Sequence, residues 1–365
     1  MIGLVQNVVT IAAFFAILGG LVIFHELGHF LTARLARVRV LEFGIGFPPR
    51  ARVLRAKGET LYTLNWLPIG GFVRLQGEDG DNTDDPRSFS AKSLPVRLGI
   101  LAAGVAMNLL LAFAIFTGIA WLVSPYVGAT VDVVDPSSPA AQAGIQPGDA
   151  VIAVDGDRYQ FLVGPTILDG LRGRAGRTAS VTVEAADGRR RDVTVALRSA
   201  ADVEAGRGAL GIRARDAKFF GEYGTNDLAT AASVGWDQTV HWLGAVVGGL
   251  GSLVQHVATD PTAPPPVSGP VGIATQIGEV LWKAGPVMTL YVAGILSANL
   301  ALVNILPFPP LDGGRMLMIT LKRFLGSRIS LRAEQLTYMV GFVVLFAFII
   351  WVTGFDIARG LGAGT

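Results

Sequence analysis

The sequence predicts a polytopic α-helical membrane protein with four transmembrane helices, an extracytoplasmic β-rich domain and a β-hairpin at the cytoplasmic membrane edge. Three observations carry this. Only 16% of the 365 residues are charged and mean hydropathy is +0.50, whereas an ordinary soluble domain is roughly 25% charged. Residues 1–24, 98–123, 284–311 and 335–355 contain no Asp, Glu, Lys or Arg, and each is as long as the roughly 20 residues needed to cross a bilayer. Residues 128–197 instead alternate apolar and polar side chains in short runs separated by turn signals.

The composition also excludes several classes of function. With no Cys, there are no disulfides, thiolate metal sites or Cys nucleophiles, so a metal here has to be held by His and carboxylate. Four His are available for that. Thirty Lys and Arg against 28 Asp and Glu leave a net charge of +2, which gives no electrostatic footprint for a nucleic-acid partner.

The chain divides into a first span (1–33), a cytoplasmic loop with a membrane-associated hairpin (34–97), a second span (98–123) and a β-rich domain (126–200). An extracytoplasmic linker with an interfacial helix (201–283), a third span (284–314) and a fourth span (335–355) follow. The first stretch has no basic n-region and no small-residue cleavage site before His25 and Glu26, so it reads as a retained span rather than a signal peptide.

His25-Glu26-Leu27-Gly28-His29 closes the first span and fits H-E-x-x-H. On a helix, positions i and i+4 share a face, so both imidazoles can reach one metal ion while Glu26 lies near enough to take a proton from an attacking water. Two imidazoles and a carboxylate at the end of an apolar span cost several kcal/mol unless paired or coordinated. The alternative is a polar cluster that merely caps the span. A hydrolytic zinc site usually has three protein ligands, and Leu35 stands where a metzincin would carry its third His.

After the first span, Leu61 to Trp66 followed by Gly70-Gly71-Phe72-Val73-Arg74-Leu75 reads as a hairpin or edge strand. An exposed edge there could pair with an extended substrate by strand addition, with Gly70 and Gly71 at the contact. The other reading is a cytoplasmic hairpin with no substrate contact.

In the insert, Ser138-Pro139-Ala140-Ala141-Gln142-Ala143-Gly144 suggests a short helix ended by Gly144, and Asp155-Gly156 and Asp187-Gly188 are turn signals. The run from Ser138 to Gly156 resembles the PDZ domain pattern. PDZ domains bind extended peptides at a sheet edge, so the resemblance implies capture of a peptide or free C-terminus, the alternative being a spacer. Residues 238–259 are long enough to span but contain His241, His256 and several Gly, and they read as an interfacial or re-entrant helix.

Asp312 ends the uncharged third stretch within Pro309-Pro310-Leu311-Asp312-Gly313-Gly314. Lys and Arg near span ends stay cytoplasmic. Arg34, Arg37, Arg39, Arg50, Arg52, Arg55 and Lys57 follow the first span, and Lys322, Arg323, Arg328 and Arg332 lie between the third and fourth. The first and third spans then run outward to inward, so Asp312 and the two His lie at similar depth. A plain boundary-turn role for Asp312 is the alternative.

Together, His25-Glu26-x-x-His29 and Asn304-x-x-Pro307-x-Pro309-x-Leu311-Asp312-Gly313 resemble the site-2 protease family of intramembrane metalloproteases. The β-rich insert and four spans point to its bacterial regulator-of-sigma-E branch. Phe43-Gly44-Ile45-Gly46-Phe47, the 67–73 segment, the 104–108 segment and Ser268-Gly269-Pro270-Val271-Gly272-Ile273 match as well. Some members carry tandem PDZ domains, and one is evident here. The resemblance implies Zn²⁺ held by His25, His29 and Asp312, with Glu26 as general base and Asn304 holding substrate backbone. Helix-helix hydrogen bonding is the alternative for Asn304. It further implies a multi-pass cell-membrane protein with its active site near the cytoplasmic side. The implied substrates are single-span membrane proteins already trimmed outside, such as anti-sigma factors or signal-peptide remnants. A reading from another class is a catalytically silent membrane adaptor that recruits peptides through its PDZ domain, although the intact Glu26 argues for catalysis. The spans show no inverted repeat of the kind that marks a transporter.

Overall fold

The computed structural model describes residues 2–56, 58–78, 84–260, 262–326 and 330–362; Lys57 and Arg328 of the charge pattern lie outside them. The chain forms two compact units, one of Met1–Ile115 with Asp237–Thr365 and the other of Phe116–Trp236.

Helix α1 (Ile2–Leu35) carries the H-E-x-x-H motif and stops in a Schellman turn. The Val38 N–H donates to Ala33 O (2.8 Å) and the Arg37 N–H to Arg34 O (3.0 Å), with Arg37 in the left-handed region at φ 56. Ala33 and Val38 are both buried there, which supplies the apolar contact that usually accompanies this cap.

Strands β1 (Val40–Arg55) and β2 (Leu61–Leu75) form an antiparallel sheet in which both bend back on themselves. Residues Phe43, Gly44 and Ile45 pair with Val73, Phe72 and Gly71 on one side and with Tyr62, Thr63 and Leu64 on the other. The 61–66 and 70–75 runs are therefore not partners of each other, as a simple hairpin would require, because β1 lies between them. Gly46 (φ 80) and Gly70 (φ 87) supply the positive φ that such bends need. A Cβ on Gly44 would come within 2.3 Å of the Phe72 ring, so this glycine makes room for the neighbouring segment.

Helix α2 (Leu94–Leu122) is the second span. It crosses α1 closely, since a Cβ on Gly28 would lie 2.3 Å from Ala103 O. Phe30, Ala33, Val38, Val40, Leu75 and Ile100 belong to the apolar cluster beneath the hairpin.

The second unit is built on a six-stranded antiparallel sheet of order β7-β6-β4-β5-β3-β8. In chain order its elements are β3 (Ser124–Val134), α3 (Pro139–Gln142), β4 (Ala150–Val154), β5 (Asp157–Gln160), α4 (Ile167–Arg172), β6 (Thr178–Glu184), β7 (Arg190–Ala196), α5 (Ala200–Glu204) and β8 (Ile212–Gly224). Ser138 caps α3 by accepting from the Ala141 N–H, and Gly144 at φ 69 follows it, as the sequence predicts. Asp155 (φ 53) and Gly156 (φ 82) form the tight β4–β5 turn. The Ser180 N–H and the Arg174 guanidinium hold the Asp155 carboxyl below the usual carboxylate range. The sheet extends past the expected boundary at 200, because β8 pairs along β3 as far as Gly224. Arg213, Arg215 and Lys218 within β8 disguise it as linker.

Helix α6 (Leu228–Thr259) starts at Asp227, whose carboxylate accepts from the Thr230 N–H (2.9 Å). It is one unbroken helix, so residues 238–259 form no re-entrant turn, and it is not among the four described helices long and apolar enough to cross a membrane. Helix α7 (Pro270–Lys283) is capped from a distance by Asp356 near the C-terminus, whose carboxylate accepts from the Gly272 N–H (2.8 Å). A Cβ on Gly269 or Gly272 would press against that carboxylate at 2.8 Å, which accounts for both glycines in the 268–273 motif.

The third span, α8 (Gly285–Ile305), ends before the run of prolines, and α9 (Asp312–Leu325) begins at Asp312 itself. The expected span of 284–314 is thus two helices joined by residues 306–311, and Asn304 and Asp312 do not share one helix face. Pro307, Pro309 and Pro310 have no N–H to continue the helix. The fourth span lies within α10 (Leu331–Gly362).

Candidate active site

His25 and His29, one turn apart on α1, face the start of α9. Asp312 Oδ2 lies 2.9 Å from His25 Nε2 and 3.2 Å from His29 Nε2, and the two Nε2 atoms are 3.2 Å apart. Both imidazoles are buried, at 6% and 8% exposure, and Asp312 Oδ2 is buried against them. Among the described residues these three form the group whose ligand atoms could hold a metal ion, all within 4.8 Å of one another.

The glycines and prolines around the site explain how α9 comes so near. A Cβ on Gly313 would lie 2.1 Å from Ile305 O, and one on Gly314 would lie 2.5 Å from the carbonyl carbon of Phe308. Any side chain at either position would push Asp312 away from α1. On α2, a Cβ on Gly104 would meet His29 Nε2 at 2.5 Å and His25 Cε1 at 2.6 Å, so this glycine forms the floor beneath the imidazoles.

The outer nitrogens of both His are tied down. His29 Nδ1–H donates to the Ile100 carbonyl at 2.8 Å, which orients the ring so that Nε2 is the nitrogen that would ligate a metal. His25 Nδ1 lies 3.3 Å from the amide of Asn108, a fully buried residue whose other amide atom has no partner. Amide oxygen and nitrogen are isosteric, and metal binding through His25 Nε2 requires Asn108 to present its oxygen to Nδ1–H. Ser297 on α8 donates to the Asn108 carbonyl at 2.8 Å, linking that support to the third span.

Asn304 Nδ2 lies 3.5 Å from His25 Nε2, beside the cluster. Gly71 is next to Glu26, since a Cβ on it would lie 3.5 Å from Glu26 Cγ, so the edge of the hairpin sits over the base of the motif. Gly70 is the bend, and its position faces the Phe47 ring. His241 stacks edge-on with Trp242, and His256 bonds to Ala263 O; neither joins the cluster. The 104–108 segment was matched in the sequence without a role, and the structure gives one to its two ends, Gly104 beneath the imidazoles and Asn108 against His25 Nδ1. The Ile100 carbonyl was not foreseen.

Two imidazole nitrogens and a carboxylate oxygen converge here within hydrogen-bonding distance of one another, and these are the donor types that a catalytic divalent cation takes. The sequence profile of Peptidase family M50 matches residues 13–348. The chain belongs to this family, the site-2 protease family. The zinc metalloprotease RasP of Geobacillus kaustophilus is 28% identical across 98% of this chain and 99% of its own length. RasP of Bacillus licheniformis is 27% identical across 96% and 99%. A Clostridium perfringens protein whose given name includes zinc metalloprotease is 33% identical across 92% and 95%. This family member is a zinc metalloprotease, with Zn²⁺ as its metal and several apolar helices that make it a multi-pass membrane protein. The silent-adaptor reading falls with that membership. The donor set suits zinc, which takes His nitrogen and carboxylate oxygen in catalytic sites with three protein ligands.

The floor glycine gives a direct check. Gly104→Val should displace both imidazoles and reduce zinc in the purified protein well below one ion per chain. Gly99→Ala on the same helix faces open space and should keep full zinc by elemental analysis. Full zinc in the Gly104 variant would show that the imidazoles do not depend on that surface.

Proposed function

We propose that the protein is an intramembrane zinc endopeptidase in which His25, His29 and Asp312 hold the metal, Glu26 is the general base and Asn304 steadies the substrate backbone. The convergence of two imidazoles and a carboxylate beside Glu26, at the end of an apolar helix, carries the reading. Zinc supplies Lewis acidity, which lowers the pKa of water toward about 7 and polarises a carbonyl. Glu26 accepts the proton of the attacking water and delivers it to the amine nitrogen as the peptide bond breaks. The Asn304 amide, 3.5 Å from His25 Nε2, donates to a substrate carbonyl and keeps the scissile bond in register.

A peptide bond inside a helix is shielded by its own turn, so the substrate has to unwind before it is cut. The 71–75 segment pairs with β1 on one side, and Gly71 reaches Glu26. We assign the other side of this segment, with Gly70 as the bend that aims it, to pairing with the unwound substrate.

The arginines after α1 and the basic residues of α9 favour a cytoplasmic placement of the site in the cell membrane. The β-rich unit then lies outside as a PDZ-type domain that takes a peptide or free C-terminus at its sheet edge. The substrates we assign are pre-trimmed single-span membrane proteins, such as anti-sigma factors and signal-peptide remnants, as in the regulator-of-sigma-E branch.

Two experiments separate the roles. Glu26→Gln should keep one zinc per chain while cleavage of a transmembrane substrate in detergent falls by about 100-fold or more; wild-type turnover in this variant would remove Glu26 from the mechanism. Gly71→Pro removes the backbone N–H and fixes φ in this strand and should slow cleavage at least about tenfold with zinc retained. Undiminished cleavage by the proline variant would rule out strand addition at this edge.

A further inference from the structure

An ion pair lies between the hairpin and the carboxylate that we assign to the metal. Arg315, one turn after Asp312 on α9, reaches Glu78 just beyond β2, with Arg315 Nη2 at 2.5 Å from Glu78 Oε1. The other oxygen of Glu78 accepts from the Leu75 N–H at 3.1 Å, so the same carboxylate grips the last residue of β2. Both side chains are largely covered, at 12% exposure for Glu78 and 30% for Arg315. Nothing in the proposed chemistry uses either residue.

A half-buried ion pair is weak evidence for stability, because desolvation cancels much of its attraction, yet removing one partner leaves a stranded charge. Its placement is more telling than its energy. One end holds the strand whose Gly71 lies against Glu26, and the other holds the helix whose first residue is Asp312. Glu26 lies within electrostatic range of both Glu78 and Asp312, and so does Arg315. Arg315 thus sets a positive charge beside the carboxylates of the metal cluster.

We propose that Glu78 and Arg315 are positioning residues that couple the substrate-pairing strand to Asp312. The pair transmits the position of β2 to α9 and holds the Asp312 carboxylate against the two imidazoles. The inference rests on the metal-site reading given under Proposed function. It predicts that loosening the strand loosens the metal, although no atom of either residue touches zinc or the scissile bond.

The test uses the full-length protein in detergent with Glu78→Gln, Arg315→Met, the double variant and Arg315→Lys. Zinc release to dipicolinate is timed, and kcat and KM are measured on a transmembrane substrate. Partners of metal ligands typically contribute 10–100-fold. Each single loss should therefore speed zinc release about tenfold or more and lower kcat about tenfold or more, with KM within about twofold of wild type. The double variant should be no worse than the worse single one, and Arg315→Lys should recover most of the loss. Wild-type zinc release and kcat in both single variants would overturn the coupling, as would losses that multiply in the double variant. Asp312→Ala serves as the control. If it keeps zinc, the metal-site reading and the coupling fall together; if it loses zinc while Glu78→Gln and Arg315→Met behave as wild type, the coupling alone falls.

Discussion

The meeting of His25 Nε2, His29 Nε2 and Asp312 Oδ2 is the contact on which the rest of this structure depends. Two imidazole nitrogens and a carboxylate oxygen lie about a hydrogen bond apart, in a region where burying an uncompensated carboxylate is costly. The same three atoms are the donors that a catalytic zinc ion would take. The surroundings are arranged to preserve the geometry: Ile100 and Asn108 orient the rings, Gly104 leaves them room, and Gly313 and Gly314 bring α9 in close.

The helical scaffold holds the hydrolytic site on rigid elements, while the bent hairpin supplies an edge beside it. α1 contributes the motif, α2 the floor and the ring partners, α8 the amide of Asn304 and α9 the carboxylate. Because α8 stops at Ile305 and α9 restarts at Asp312, non-helical backbone runs close to the site. Such backbone is tolerated at membrane depth only where protein or a water-filled cavity covers it, and that is also the setting hydrolysis needs.

The cluster of His25, His29 and Asp312 beside Glu26, to which we assign the chemistry, was legible in the sequence because metal chemistry restricts both residue type and spacing. His25, Glu26 and His29 follow from helical geometry, and Asp312 from being the acid that ends a long uncharged stretch. The supporting contacts were not legible. A backbone carbonyl such as that of Ile100 has no residue signature, and the contacts of Asn108, Gly104, Glu78 and Arg315 join segments far apart in the chain. Three elements were misread for local reasons. The prolines after Asn304 were treated as breaks within one span, although they end it. β1 hid behind Gly44, Gly46, Pro48, Pro49 and its arginines, and β8 hid behind its charges. Four helices long and apolar enough to cross a membrane, and the core strands of the β-rich unit, fall where the hydrophobic pattern dominates.

The most direct measurement is zinc K-edge X-ray absorption on the purified, zinc-loaded protein, with imidazoles counted from their multiple scattering. With no Cys and four His in the chain, the account predicts two imidazoles and otherwise oxygen around the metal. A shell of three or four imidazoles would bring in His241 or His256 and would contradict the assignment of Asp312 as the third ligand.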